Sequence, residues 1–88
     1  MKIRDYRPIS CVRYSHYELA IMRRRALRLV WCDGNVIHYA TVFPLDLQTQ
    51  DHAEYLIGRD AGGGAVRIRL DRIRVCRDAR SGEPLPDS

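Results

Sequence analysis

Apolar residues alternate with arginine through Val66-Arg67-Ile68-Arg69-Leu70, and then the phase changes, so that Ile73 and Val75 carry the pattern on. Side chains along a strand point to opposite faces in turn, so one straight strand would send the second apolar set to the wrong side of a sheet. The chain therefore needs an irregular step at Asp71-Arg72, either a short turn between two strands or a bulge. The same alternation in "ALRLVWC" predicts a strand with Leu27, Leu29 and Trp31 on one face. Asp33-Gly34 signals a tight hairpin. "NVIHYATV" returns as a second strand with apolar groups on both faces, and Pro44 ends it. "LDLQTQDH" reads as a polar connection, "AEYLIG" as a third strand with Tyr55 and Ile57 on one face, and "DAGGG" as a flexible turn.

One helix is predicted ahead of these strands. "SHYE" has the form of a capping box, with Ser15 at the N-cap, Glu18 reaching back to it, and Tyr14 and Leu19 as the flanking apolar pair. The helix continues through "ELAIMRR", where Arg23, Arg24 and Arg25 suit the negative end of its dipole. Leu19 and Met22, three apart, are expected to face the core. One helix followed by five short strands, curled into a small barrel that leaves no exposed sheet edge, is the economical architecture. The domain spans residues 6–76, and "RDARSGEPLPDS" (77–88) reads as a disordered tail.

The length of 88 residues suits one domain, and a 45% hydrophobic content argues against overall disorder. No run approaches the roughly 18 apolar residues of a membrane span, and the charged start lacks the apolar stretch of a secretory signal. Cys11, Cys32 and Cys76 are odd in number and widely spaced, which points to reduced thiols in a cytoplasmic protein and away from disulfides or a zinc site. None of the three histidines stands in a recognisable arrangement with a nucleophile or carboxylate, and "DAGGG" lacks the lysine and Ser/Thr of a phosphate loop. No enzymatic activity, cofactor, metal or small-molecule substrate is expected.

Arginine supplies 14 of the 15 basic residues, Lys2 being the exception, and the formal charge is +4, which favours anionic partners. The arginines form two groups: Arg23, Arg24, Arg25 and Arg28 around the helix end and first strand, and Arg67, Arg69, Arg72 and Arg74 on the last two strands. First and last strands of a small barrel are neighbours, so the groups could merge into one RNA- or anion-binding surface, since guanidinium forks suit phosphates. Alternating arginines also simply keep an outer sheet face wet and unpaired. Stacking on bases would require exposed aromatics, and Tyr55 and Tyr39 read as buried.

Taken together, "YRPISC" followed by Tyr14, "ELA" at 18–20, "DG" at 33–34, "DL" at 46–47, "EYL" at 54–56 and "LDRI" at 70–73 resemble, in order and spacing, the Rho-binding antiterminator (Rof) family of small bacterial proteins. The resemblance spans about residues 6–75. It implies a mainly β fold, a small Sm-like or SH3-like five-stranded barrel with one N-terminal α-helix, and no catalysis. It further implies binding to the transcription termination factor Rho at its primary RNA-binding site, which reduces Rho-dependent termination. Where the family carries acidic residues between its cysteine and its helix, this chain has Val12, Arg13 and Ser15, and its overall balance is basic. Contact with Rho is then expected around Arg13, Tyr14, His16, Tyr17 and Glu18. The alternative is a basic Sm-like protein that binds RNA directly through its arginines.

Overall fold

Ser10, and not Ser15, starts the helix. In the computed structural model, which describes residues 7–85, Ser10 is extended and its hydroxyl accepts the N–H of Arg13 at 3.1 Å, and α1 runs Cys11–Met22. Ser15 lies inside the helix, and Glu18 sits exposed on its second turn. Either serine supplies a cap worth about 1 kcal/mol. Starting at Ser10 adds a turn and aligns Tyr14, Tyr17 and Ile21 on one face with Ala20 beside them. Burying Tyr17 to 1% exposure adds roughly 1.5–3 kcal/mol, and the earlier start also lets Tyr14 pack on the core and Arg13 reach the Tyr17 hydroxyl one turn on. The core-facing stripe is consequently rotated from the one expected: Leu19 is partly open and Met22 is 76% exposed. The helix ends in a Schellman arrangement, with Arg25 N–H bonded to Ala20 C=O at 2.9 Å and Arg24 N–H to Ile21 C=O at 3.2 Å. Arg24 has φ +54 there, at the position usually held by glycine.

Five strands follow: β1 Leu27–Asp33, β2 Val36–Gln50, β3 Ala53–Asp60, β4 Ala65–Arg69 and β5 Ile73–Asp78. They form one antiparallel sheet in the order β4-β3-β2-β1-β5. The expected break at Asp71-Arg72 is a single 3₁₀ turn, Leu70–Arg72, which carries the chain from β4 to β5 and restores the apolar phase. First and last strands are neighbours, as expected, but β4 and β5 stand at opposite edges and do not pair, so the sheet is open and no barrel closes among the described residues. The β5 edge is protected differently: Pro84 bridges Arg77, and Leu85 N–H reaches the Cys76 carbonyl at 2.9 Å.

Pro44 does not end the second strand. β2 runs straight through it, and a register shift between Pro44 and Asp46 leaves Leu45 as the extra residue of a bulge. Proline is tolerated at a bulge because the ladder there lacks a regular hydrogen bond. Gly58 lies opposite, and a Cβ on it would stand 2.5 Å from the Phe43 carbonyl oxygen. The supposed polar connection is therefore strand up to Gln50, closed by a two-residue turn at Asp51-His52, both with positive φ. Long β2 pairs with β1 over its first half and with β3 over its second, and Val42 takes part in both ladders.

Inward residues of α1 and the sheet meet in one core of Tyr17, Ala20, Leu27, Leu29, Val42, Leu56, Ile68, Leu70, Ile73 and Cys76. Trp31, on the face shared with Leu27 and Leu29, packs at the core's margin and stacks on His38 with centroids 5.3 Å apart. On β3 the buried side is Leu56 and Gly58, while Tyr55 and Ile57 share the opposite face.

Where composition predicts disorder from Arg77, the chain turns back on β5. Asp78 organises this return: its carboxylate accepts Arg25 at 2.7 Å, Arg80 N–H at 2.8 Å and Ser81 N–H at 3.2 Å. Tyr6, at the start of the expected domain, and residues 86–88 of the expected tail lie outside the described residues.

Candidate functional site

The five residues expected to meet a partner divide between the core and the surface. Tyr17 is buried, so it is no contact residue. Arg13 Nε donates to its hydroxyl at 3.2 Å, and the ring shares the buried core with Cys76 of β5. Arg13 and Tyr17 thus pin the helix to the sheet. Burial pushes the Tyr17 phenol up to about 12 and the Cys76 thiol up to about 11, so both stay neutral at physiological pH. His16 turns to the other flank of α1, beside Leu19, Arg23 and Leu85.

Tyr14 and Glu18 remain together on the half-exposed face of α1. Two residues from the sheet join them. Burial raises the Tyr14 phenol first, and the negative charges of Glu54, Glu18 and Asp46 then raise it further. Carboxylates from α1, β2 and β3 therefore lie near enough to Tyr14 to act on its charge. Asp46 follows the bulge in β2, and its carboxylate accepts the N–H of Leu47 at 2.8 Å. Asp46 and Glu54 were not expected as site residues. They belong to the "DL" and "EYL" segments, and only the β2–β3 hairpin and the packing of α1 bring them to Tyr14. This is a local acidic patch on a basic protein.

The arginines do not merge into one surface. β1 separates them, since its Leu27 end pairs with Asp78 and its Trp31 end with Ile73. At the second end, most of the expected phosphate-binding set is engaged. Arg69 grips Asp71 through two bonds of 2.8 and 2.7 Å, with both side chains nearly buried. Arg72 meets Asp33 at 3.3 Å, and Arg67 lies 3.8 Å over the half-buried Tyr55 ring and donates to Gln50. Arg74 is exposed beside the Arg13–Tyr17 pair. At the first end, Arg23, Arg24, Arg25 and Arg80 surround an open cleft of about 620 Å³ in which Arg25 pairs with Asp78. Arg28 lies across from Arg77 on the outer sheet face, where Tyr39 is exposed and not buried as expected. Arg77 and Arg80 fall in the segment that composition marks as a tail, so charge pattern alone does not single them out.

Among the described residues, no group of three or more His, Cys, Asp or Glu is placed to hold a metal ion. Cys11, Cys32 and Cys76 are free thiols. No helix among the described residues is long and apolar enough to cross a membrane.

No family model matches the chain, and no curated protein matches it significantly. Among solved structures it is similar to part of proteasome accessory factor B/C (PafBC) of Arthrobacter aurescens, with a TM-score of 0.69 and 23% identity. The match covers 81% of this chain and 12% of that one, and at this identity it shows the fold alone.

Proposed function

We propose that this chain is a protein-interaction module of the Rho-binding antiterminator type. It binds Rho at the primary RNA-binding site in the bacterial cytoplasm, withholds RNA from it and reduces Rho-dependent termination, without catalysis. The frame we assign is Sm-like. That assignment is supported by the helix ahead of the strands, the order β4-β3-β2-β1-β5, the long bulged β2 and the 3₁₀ turn between β4 and β5.

The observation that carries the reading is Tyr14, half-exposed on α1, with the negative charges of Glu54, Glu18 and Asp46 acting on it. A surface that takes up RNA must present cations to phosphates and flat faces to bases. An aromatic ring among carboxylates is complementary to such a surface. The net charge of +4 does not defeat this complementarity. Fields are screened within about 8 Å at physiological ionic strength, whereas the molecule is 42 Å long. The patch therefore acts locally, and the basic clefts lie elsewhere on the surface.

A competition assay tests the reading: purified protein is added to Rho carrying labelled RNA. Displacement of RNA, abolished by Tyr14→Ala and by Glu18→Lys, is the expected result. Rho that keeps its RNA at saturating protein in low salt would end the proposal.

A further inference from the structure

The sheet face turned away from α1 carries a row that no element of the described residues covers: Val75 on β5, Val30 on β1 and Tyr39 on β2 lie side by side across three strands. Tyr39 is 81% exposed, unusually open for a large aromatic. The next outward row holds Arg77, Arg28 and Thr41. Both rows line one open cleft of about 500 Å³, and no carboxylate is among its lining residues. Past Arg28, β1 begins beside the basic cleft at the end of α1, where Arg23, Arg24 and Arg80 have no carboxylate partner among the described residues.

We propose that this face binds single-stranded RNA, with a base stacked on Tyr39 and its phosphates on Arg28 and Arg77. The two outward rows are two residues apart along each strand, about 6.8 Å, so a base seated on Tyr39 brings its own phosphate within reach of a guanidinium. Val30 and Val75 extend the apolar seat beneath the ring edge. Arg23, Arg24 and Arg80 continue the positive track for the next phosphates. Paired bases hide their faces, so a flat aromatic platform selects single strands. Thr41 stands directly across from Arg28 and offers a hydroxyl that both gives and accepts a hydrogen bond, as a ribose 2′-hydroxyl does. A second copy of the chain is a poor occupant, because face-to-face docking would set these arginines against their equivalents. The face is distinct from the Tyr14 patch, so the two assignments stand or fall separately.

The test uses the purified chain without Rho and follows the fluorescence anisotropy of a labelled oligouridylate, the matching deoxy strand and an RNA duplex. Single-stranded RNA is expected to bind tightest, with affinity falling as salt is added. Tyr39→Ala should weaken binding about tenfold or more, whereas Tyr39→Phe keeps the stack and most of the affinity. Arg28→Gln with Arg77→Gln should flatten the log–log salt dependence by about 0.7 per arginine. All these side chains are on the surface, and unchanged thermal melts will show that the variants fold. The inference fails if Tyr39→Ala binds RNA as well as the unaltered chain, or if the duplex or deoxy strand binds equally tightly. It also fails if the face is buried in a self-associated dimer, or if only an acidic peptide binds there.

Discussion

Arg69 holds both carboxylate oxygens of Asp71, two residues further on, at 2.8 and 2.7 Å across the 3₁₀ turn that joins β4 to β5. The pair is nearly buried, at 14% and 8% side-chain exposure, and Asp71 also accepts the N–H of Arg7 at 3.0 Å. The second of the four arginines in the Val66–Val75 stretch is thus a structural clamp. Removing one partner of such a pair strands the other charge. Asp71→Asn is therefore expected to cost about 3 kcal/mol and to lower Tm by at least 10 °C or so for a domain of this size. Calorimetry checks this; a drop of only a degree or two would show the pair to be ornamental.

The helix start separates two serines. Ser10→Ala removes the cap and should destabilise by about 1 kcal/mol. Ser15→Ala changes an interior helical position that is open to solvent, and alanine's better propensity should leave stability unchanged or raise it by a few tenths of a kcal/mol. Urea melts of the two variants distinguish the starts, and the reverse order of stability would return the cap to Ser15.

Gly58 faces Pro44 at the bulge, and its missing side chain leaves the space that the Phe43 carbonyl occupies. Gly58→Ala would place a methyl 2.5 Å from that backbone oxygen, and backbone moves less readily than a side chain. A loss of about 2 kcal/mol is expected, together with loss of hydrogen-exchange protection around the bulge. A neutral outcome would mean that β2 bends freely.

Stability should fall at both ends of the pH scale, for different groups. Burial pushes Asp71 up, but the hydrogen bonds from Arg69 and the Arg7 N–H, with the charges of Arg69 and Arg72, outweigh it and hold the carboxyl low. The Arg25 bond, then the N–H groups of Arg80 and Ser81, hold Asp78 low as well. A carboxyl with a lowered folded pKa binds fewer protons folded than unfolded. Its contribution is complete above the usual carboxylate pKa of 3.8 and is lost as pH falls through the lower folded value. At the other end, burial lifts Cys76 from 9.0 to about 11 and Tyr17 from 10.0 to about 12, so the unfolded chain sheds those protons first. Stability then declines from about pH 9 upward, by roughly 2–3 kcal/mol for each group once its folded pKa is passed. Cys76→Ser should shift the alkaline limb without moving the acid one, and a flat melting temperature from pH 8 to 11 would contradict this assignment.

The acidic patch predicts a charge-dependent on-rate. Glu18→Gln and Asp46→Asn together should slow association with Rho several-fold at low salt and less at high salt, with dissociation changed little, because rim charges steer encounter more than they hold the complex. Surface plasmon resonance at two salt concentrations reads this directly. Faster association by the double variant would place the patch outside the contact.

Local pattern determined much of this protein. Period-2 alternation located β1 and its inward Leu27 and Leu29, Asp33-Gly34 located the first hairpin to within one residue of its Gly34-Asn35 loop, "DAGGG" the turn after β3, and the change of phase at Asp71 the step between β4 and β5. Each of these follows from chemistry within a few residues, which a sequence displays directly. Tertiary structure decided the rest. Whether Tyr17 or Leu19 faced inward depended on core partners far along the chain, Cys76 among them, 59 positions away. Whether Pro44 broke a strand depended on Gly58 leaving room opposite it. Which arginines were free depended on Asp33, Asp71 and Asp78, two of which act across long stretches of chain. The carboxylates around Tyr14 come from three separate elements. Charge and burial act through space, so a patch assembled by strand pairing and helix docking has no address along the chain until the fold brings its members together.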